Sequence, residues 1–109
     1  MSFVPPNGPP VRIMVSLPKG LPRELVSEYL ASCQQDLPRL FAALAGREYA
    51  SVRTIGHQMK GTGRPYGFPG LTQIATAIEQ AAVHQDAAGL ENHLSELEIY
   101  LSSVEIAAE

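Results

Sequence analysis

The sequence predicts an all-α fold, an antiparallel up-down four-helix bundle preceded by an extended, Pro-rich arm. Four segments carry apolar residues at alternating steps of three and four, which is the spacing of one helix face. The links between these segments are short, and short links favour antiparallel neighbours in a bundle. Six of the nine prolines lie within residues 1–22 and keep that stretch out of regular helix. We therefore divide the chain into an arm, residues 1–22, and one helical domain, residues 23–109.

The composition is that of a single globular domain. The chain has 109 residues, of which 45% are hydrophobic, and its formal net charge is −3. Because a nucleic-acid-binding domain normally carries a basic stripe, this balance argues against nucleic acid as a partner. We see no apolar stretch long enough for a bilayer and no secretory leader, and Cys33 is the only cysteine. These features lead us to expect a cytoplasmic monomer that does not bind membranes.

The end of the arm has a period of two. Apolar residues occupy alternate positions from Val11 to Leu17, as in an extended segment with one apolar edge. We expect this segment to lie against the helical domain as an ordered cover. Docking of the same edge onto a partner is the alternative.

The first predicted helix begins near Pro22, which suits a first helical turn, and ends near Gly46. Its apolar stripe consists of Val26, Leu30, Cys33, Leu37, Leu40 and Leu44. Pro38 lies within this helix and removes a backbone hydrogen bond, so we expect a kink or a break there. Asp36 could cap a restarted helix. Because the stripe keeps its phase across the proline, we predict two nearly collinear pieces.

The second predicted helix runs from about Glu48 to Gly63. Its core face carries Val52, Ile55 and Met59. Pro65 should end it, because the residue before a proline avoids helical geometry. The opposite face carries one histidine, three basic residues and several small ones: Ala50, Arg53, Thr54, His57, Lys60, Gly61 and Arg64.

The third and fourth predicted helices cover about residues 71–84 and 88–106. Their inner stripes are Leu71, Ile74, Ala75, Ile78 and Ala82, then Leu90, Leu94, Leu97, Leu101 and Val104. Asp86 in the connection is a candidate cap for the last helix. We assign the leucine stripes to a shared core rather than to a leucine zipper with another chain. Each stripe can pack against the apolar stripes of the other helices in the same short chain.

The run His57-Gln58-Met59-Lys60-Gly61 is the strongest functional signal. On a helix, residues three and four apart are neighbours, so an imidazole, an ammonium group and an open position form one patch. A glycine in a helix costs about 1 kcal/mol relative to alanine, so its presence needs an explanation. The missing side chain of Gly61 would let a partner reach His57 on the same face.

The imidazole also has to be held in one orientation. An attacking imidazole needs its other nitrogen held by an acceptor. Glu79, beside the core stripe of the third helix, is the candidate.

The motif H-x-x-K-G, followed by Gly67, Leu71 and the pair Ile78-Glu79, resembles the histidine-containing phosphotransfer (HPt) domain of bacterial phosphorelays. The resemblance runs from about Leu21 to the C-terminus. It implies that His57 accepts a phosphoryl group from an aspartate of a response-regulator receiver domain and passes it to another receiver. The receiver of a hybrid histidine kinase is one such partner. The resemblance also implies that Mg²⁺ belongs to the receiver, so no cofactor is expected on this chain.

Several residues around His57 then have expected roles. Glu79 corresponds to the hydrogen-bonding Glu or Gln of the family, and Lys60 would counter the charge of the moving phosphoryl group. We assign partner access or binding to five further residues: Arg53, Thr54, Gly61, Arg64 and Gly67. Pro65 falls where the family often continues the helix, so a shorter helix is expected there.

Two other functions fit parts of the pattern. A non-phosphorylated scaffold that binds a receiver or a kinase could use the same bundle, but it has no need of the His57 patch. A hydrolytic enzyme with His57 as a base lacks an evident Ser or Cys partner. A Gly-rich ATP-binding motif is also missing, so we do not expect a complete histidine kinase. Because the resemblance assigns the metal and the acid groups to the receiver, we expect a phosphoryl carrier and not an enzyme. His84, Asp86 and His93 show no fixed ligand spacing, so we predict no metal site.

Overall fold

A computed structural model gives the structure of the protein and describes residues 12–107. The elements are β1 (Ile13–Val15), α1 (Arg23–Ala45), α2 (Tyr49–Gly63), α3 (Pro69–Val83), α4 (Ala87–Ser103) and β2 (Val104–Ile106). The predicted helical bundle of four helices is confirmed. The beginning of the arm, residues 1–11, and residues 108–109 lie outside the described residues.

The core lies between the four helices and is filled by their apolar stripes. Side chains without any exposed surface come from every helix: Leu40, Val52, Leu71, Ala75, Ile78, Leu90, Leu94 and Leu97. Burial of each Val, Leu and Ile side chain in this set contributes roughly 1.5–3 kcal/mol, which is the main force holding the bundle together. Within residues 12–107, no helix is long and apolar enough to cross a membrane.

Glycines allow α2 and α3 to pack closely. A Cβ atom added to Gly56 would lie 3.2 Å from Cγ2 of Ile78 and 3.3 Å from the backbone nitrogen of Glu79. A Cβ on Gly63 would lie 2.7 Å from Oγ1 of Thr72. The missing side chains therefore permit an interhelical distance that brings the exposed face of α2 next to Glu79.

Pro38 does not interrupt α1. The helix is continuous from Arg23 to Ala45, and the proline ring lies on its exposed side. The predicted division into two pieces is therefore wrong, and so is the cap assigned to Asp36, which lies inside the helix 3.6 Å from Arg39. The proline removes one hydrogen bond, whereas the apolar stripe remains buried on both sides of it. Burial of that stripe outweighs the lost bond.

The last helix ends earlier than predicted, at Ser103 instead of Ile106. Residues Val104–Ile106 form β2, which pairs in parallel with β1 of the arm. The backbone N–H of Ala107 continues the pairing and donates to the carbonyl of Val15 at 2.8 Å. β-branched residues suit this extended pairing better than a further helical turn. The two ends of the described chain are thus tied together.

Candidate functional site

α2 places His57 on the outer surface of the bundle. Val52 and Met59, on the opposite face of this helix, are only 0% and 3% exposed. The side chain of His57 is 67% exposed. The same amphipathic pattern that buries one face of α2 therefore leaves the imidazole open to a partner.

Glu79 of α3 holds the imidazole from the inner side. Its Oε2 atom lies 2.7 Å from Nδ1 of His57, and the Glu79 residue is only 7% exposed. An ionised carboxylate can only accept a hydrogen bond, so Nδ1 carries the proton. The lone pair then resides on Nε2, the nitrogen that the carboxylate leaves free. This contact gives one tautomer of His57 with an available nucleophilic nitrogen.

Lys60 contacts the same carboxylate. Its Nζ atom donates to Oε1 of Glu79 at 2.5 Å, while Oε2 accepts from His57. The hydrogen bond from Lys60 is the largest cause that lowers the pKa of Glu79, and the hydrogen bond from His57 is the second. Together they outweigh burial, which raises the pKa of a carboxyl group. Glu79 therefore stays ionised beside the imidazole. The sequence pointed to a direct role of Lys60 at the phosphoryl group and missed this contact with Glu79.

A cleft with a volume of about 360 Å³ opens beside His57. Its lining comes from α2 and α3: Ala50, Arg53, Thr54, His57, Gln58 and Glu79. Two of the predicted partner-binding residues, Arg53 and Thr54, are thus brought together with His57. The hydroxyl of Thr54 donates to the carbonyl of Ala50 at 3.0 Å. Gln58 was not predicted, and its position next to His57 was the only signal that could have found it.

The remaining predicted residues lie outside the cleft. A Cβ on Gly61 would meet nothing within 4 Å, so this position next to His57 is open. Arg64 follows the end of α2, where its backbone N–H donates to Thr72 at 2.8 Å. Gly67 has φ +98°, and a Cβ there would lie 3.0 Å from the ring of Pro18 in the arm. The structure thus places Gly67 against the arm, and Gly67 does not line the cleft.

The two other histidines have a different environment. Nδ1 of His84, the residue that follows α3, lies 2.8 Å from the carbonyl of Gln80 in the last turn of that helix. Nδ1 of His93 lies 3.8 Å from the exposed Glu96. Neither imidazole is held by a buried carboxylate of another helix. Over residues 12–107, no three histidine, cysteine or acidic side chains are grouped in a way that could hold a metal ion.

Comparison with known proteins identifies the family of the chain. A family model described as the Hpt domain matches residues 24–107, from the start of α1 through β2. The match covers most of the chain, so the protein belongs to the Hpt domain family, and the resemblance read from the sequence is confirmed. No curated protein and no solved structure matches the chain. Hpt domains serve in histidine phosphotransfer in the phosphorelays of two-component signalling, where they interact with receiver domains.

Proposed function

We propose that this protein is a histidine phosphocarrier of a multistep His-Asp phosphorelay, with His57 as the phosphoryl acceptor. His57 takes the phosphoryl group from the aspartate of one receiver domain and passes it to the aspartate of another. The observation that carries this proposal is the 2.7 Å contact between Nδ1 of the exposed His57 and the buried Glu79. An imidazole held in this way is oriented and keeps Nε2 free at the surface.

The proposed transfer requires no proton movement on this chain. The Nε2 lone pair attacks the phosphorus of the aspartyl phosphate and a P–N bond forms. The P–O bond to the aspartate breaks, and the carboxylate leaves with the electron pair. The imidazole keeps its Nδ1 proton and becomes positively charged, and the ionised Glu79 stabilises that charge. Reversal of the same steps on a second receiver returns the imidazole to its neutral form.

The supporting groups divide between the two proteins. The receiver supplies Mg²⁺ and the acidic residues that hold it, and this chain supplies the oriented imidazole with its surrounding charges. Gly61 leaves room for the receiver beside His57, because a Cβ at that position would have no neighbour within 4 Å. The protein therefore acts as a stoichiometric carrier of the phosphoryl group.

A transfer assay tests this proposal. A purified receiver labelled on its aspartate is mixed with the protein, and acid-labile, base-stable label is expected on this chain. His57→Gln should abolish the label, whereas His84→Gln and His93→Gln, the matched controls, should keep it. Label that persists in His57→Gln would contradict the proposal. A receiver that binds normally but transfers to neither the wild type nor the controls would favour a scaffold.

A further inference from the structure

Two cations of α2 flank His57, and the structure gives them different surroundings. Lys60 lies one turn after His57, and its ammonium is already bound to Glu79 at 2.5 Å. Arg53 lies one turn before His57 and lines the cleft. Among the described residues, no carboxylate lies within ion-pair distance of Arg53. The guanidinium is therefore available for an anion, whereas the ammonium is engaged.

The cleft is suited to such an anion. It holds about 360 Å³, which is ample for a phosphoryl group, and Ala50 and Thr54 contribute only small side chains to its wall. The hydroxyl of Thr54 is turned to the backbone of its own helix, where it donates to Ala50. The carboxylate in the wall, Glu79, already accepts from both His57 and Lys60. Among the described residues, Arg53 is thus the only lysine or arginine that lines the cleft.

We propose that Arg53 binds the phosphoryl group carried by His57, and that Lys60 acts indirectly, as a positioning residue that holds Glu79. This inference rests on the proposed function. The planar guanidinium offers two parallel N–H donors to phosphate oxygens, a geometry that a single ammonium does not provide. Arg53 then stabilises both the phosphoryl group in transfer and the phosphohistidine.

The first test compares two phosphoryl donors with Arg53→Ala and Arg53→Lys. One donor is a phosphorylated receiver, and the other is phosphoramidate, a small N-phosphoryl compound without a docking surface. If Arg53 contacts the phosphoryl group, Arg53→Ala slows phosphorylation of His57 from both donors by roughly tenfold or more. Arg53→Lys should retain part of the rate. Slowing from the receiver alone would show that Arg53 contacts only the receiver surface and would overturn the inference.

The control is Arg39→Ala, which removes the same charge from the exposed side of α1, outside the cleft. This variant should accept phosphate at a rate within about twofold of the wild type. If the wild type accepts from neither donor, the proposed function itself fails. If the wild type accepts and Arg53→Ala matches it, only the inference about Arg53 fails.

The second test needs only the loaded protein, whichever donor loads it. A ³¹P NMR titration follows protonation of the phosphoryl group on His57. Because a neighbouring cation favours the dianion, removing Arg53 should raise the pKa of the phosphoryl group, and Arg39→Ala should leave it unchanged. A merely structural role of Arg53 would not move this pKa, so equal titration curves in wild type and Arg53→Ala would overturn the inference.

Discussion

Oε2 of Glu79 lies 2.7 Å from Nδ1 of His57, and this contact joins a buried carboxylate of α3 to an exposed imidazole of α2. It exists because Gly56 lets the two helices approach: a Cβ there would lie 3.3 Å from the backbone nitrogen of Glu79. The same carboxylate is held on its other oxygen by Lys60. The orientation of the His57 imidazole thus depends on interhelical packing as well as on the residues of the motif.

Replacing Glu79 should slow phosphotransfer without abolishing it. Glu79→Ala removes the acceptor for the Nδ1 proton, so the imidazole samples the wrong tautomer and other rotamers, and we expect a loss of roughly 10- to 100-fold in rate. Glu79→Gln keeps a carbonyl oxygen that can accept from Nδ1 and should lose less. The rate of label transfer from a phosphorylated receiver measures both. A rate in Glu79→Ala equal to that of the wild type would show that the contact does not orient the acceptor.

The stability of the protein should depend on pH through Glu79. Hydrogen bonds from Lys60 and His57 hold the pKa of Glu79 below its ordinary value of 4.5. A carboxyl group whose pKa is lowered by folding stabilises the fold above its unfolded pKa, and this contribution is lost as pH falls through the folded pKa. Urea unfolding should therefore show the advantage of wild type over Glu79→Gln shrinking below a pH of about 4.5.

The matched control for this titration is Glu91→Gln, which changes an exposed carboxylate of α4. Because no described residue forms an ion pair with Glu91, its substitution should give a stability difference that varies less with pH. The same pH dependence in both variants would mean that the contacts of Glu79 do not contribute.

Two glycines of α2 should respond in opposite ways to alanine. Gly61→Ala meets no neighbour within 4 Å, so the better helix propensity should raise the free energy of unfolding by about 0.5–1 kcal/mol. Gly56→Ala places a Cβ 3.2 Å from Ile78 and should lower it by about 1–3 kcal/mol. Urea denaturation measures both changes.

The access role of Gly61 can be tested in transfer assays. Gly61→Ala should slow phosphorylation of His57 by the receiver but not by phosphoramidate, which has no docking surface. If the receiver phosphorylates Gly61→Ala and the wild type at equal rates, Gly61 has no role in access.

Contact between the arm and the turn after α2 can be measured with another pair of glycines. Gly67 and Gly20 have φ +98° and +87°, so alanine strains the backbone at both positions. Only at Gly67 would the new Cβ crowd the arm, 3.0 Å from Pro18 and from the carbonyl of Ser16. Gly67→Ala should therefore cost about 1–2 kcal/mol more than Gly20→Ala in urea denaturation. Equal losses would show that the arm is not held against this turn.

Much of the bundle could be predicted from local patterns, because each helix carries its own apolar stripe. Asp86 was also predictable as a cap, and its carboxylate accepts from the backbone of Gly89 at 2.9 Å. The continuous α1 was not predictable from Pro38 alone, since burial of the whole stripe decides the outcome there. The early end of α4 depends on β1, which lies about ninety residues away in sequence. A pairing between such distant segments leaves no local signal.

The site divides in the same way. The spacing of the motif around His57 predicted which residues share one face of α2, because spacing along one helix is a local property. The distance from Lys60 to Glu79 depends on how α2 packs against α3, so this contact could not be predicted from the sequence. The place of Gly67 beside Pro18 likewise depends on how the arm folds back. Residues on one element were predictable, and contacts between elements required the structure.

The most direct test of the account is to identify the nitrogen that carries the phosphoryl group. With ¹⁵N-labelled protein phosphorylated by a receiver, NMR coupling between ³¹P and the imidazole nitrogens distinguishes Nε2 from Nδ1. Because Nδ1 of His57 is bound to Glu79 at 2.7 Å, we expect coupling to Nε2 of His57 and to no other histidine nitrogen. A phosphoryl group on Nδ1 of His57, or on His84 or His93, would contradict the account.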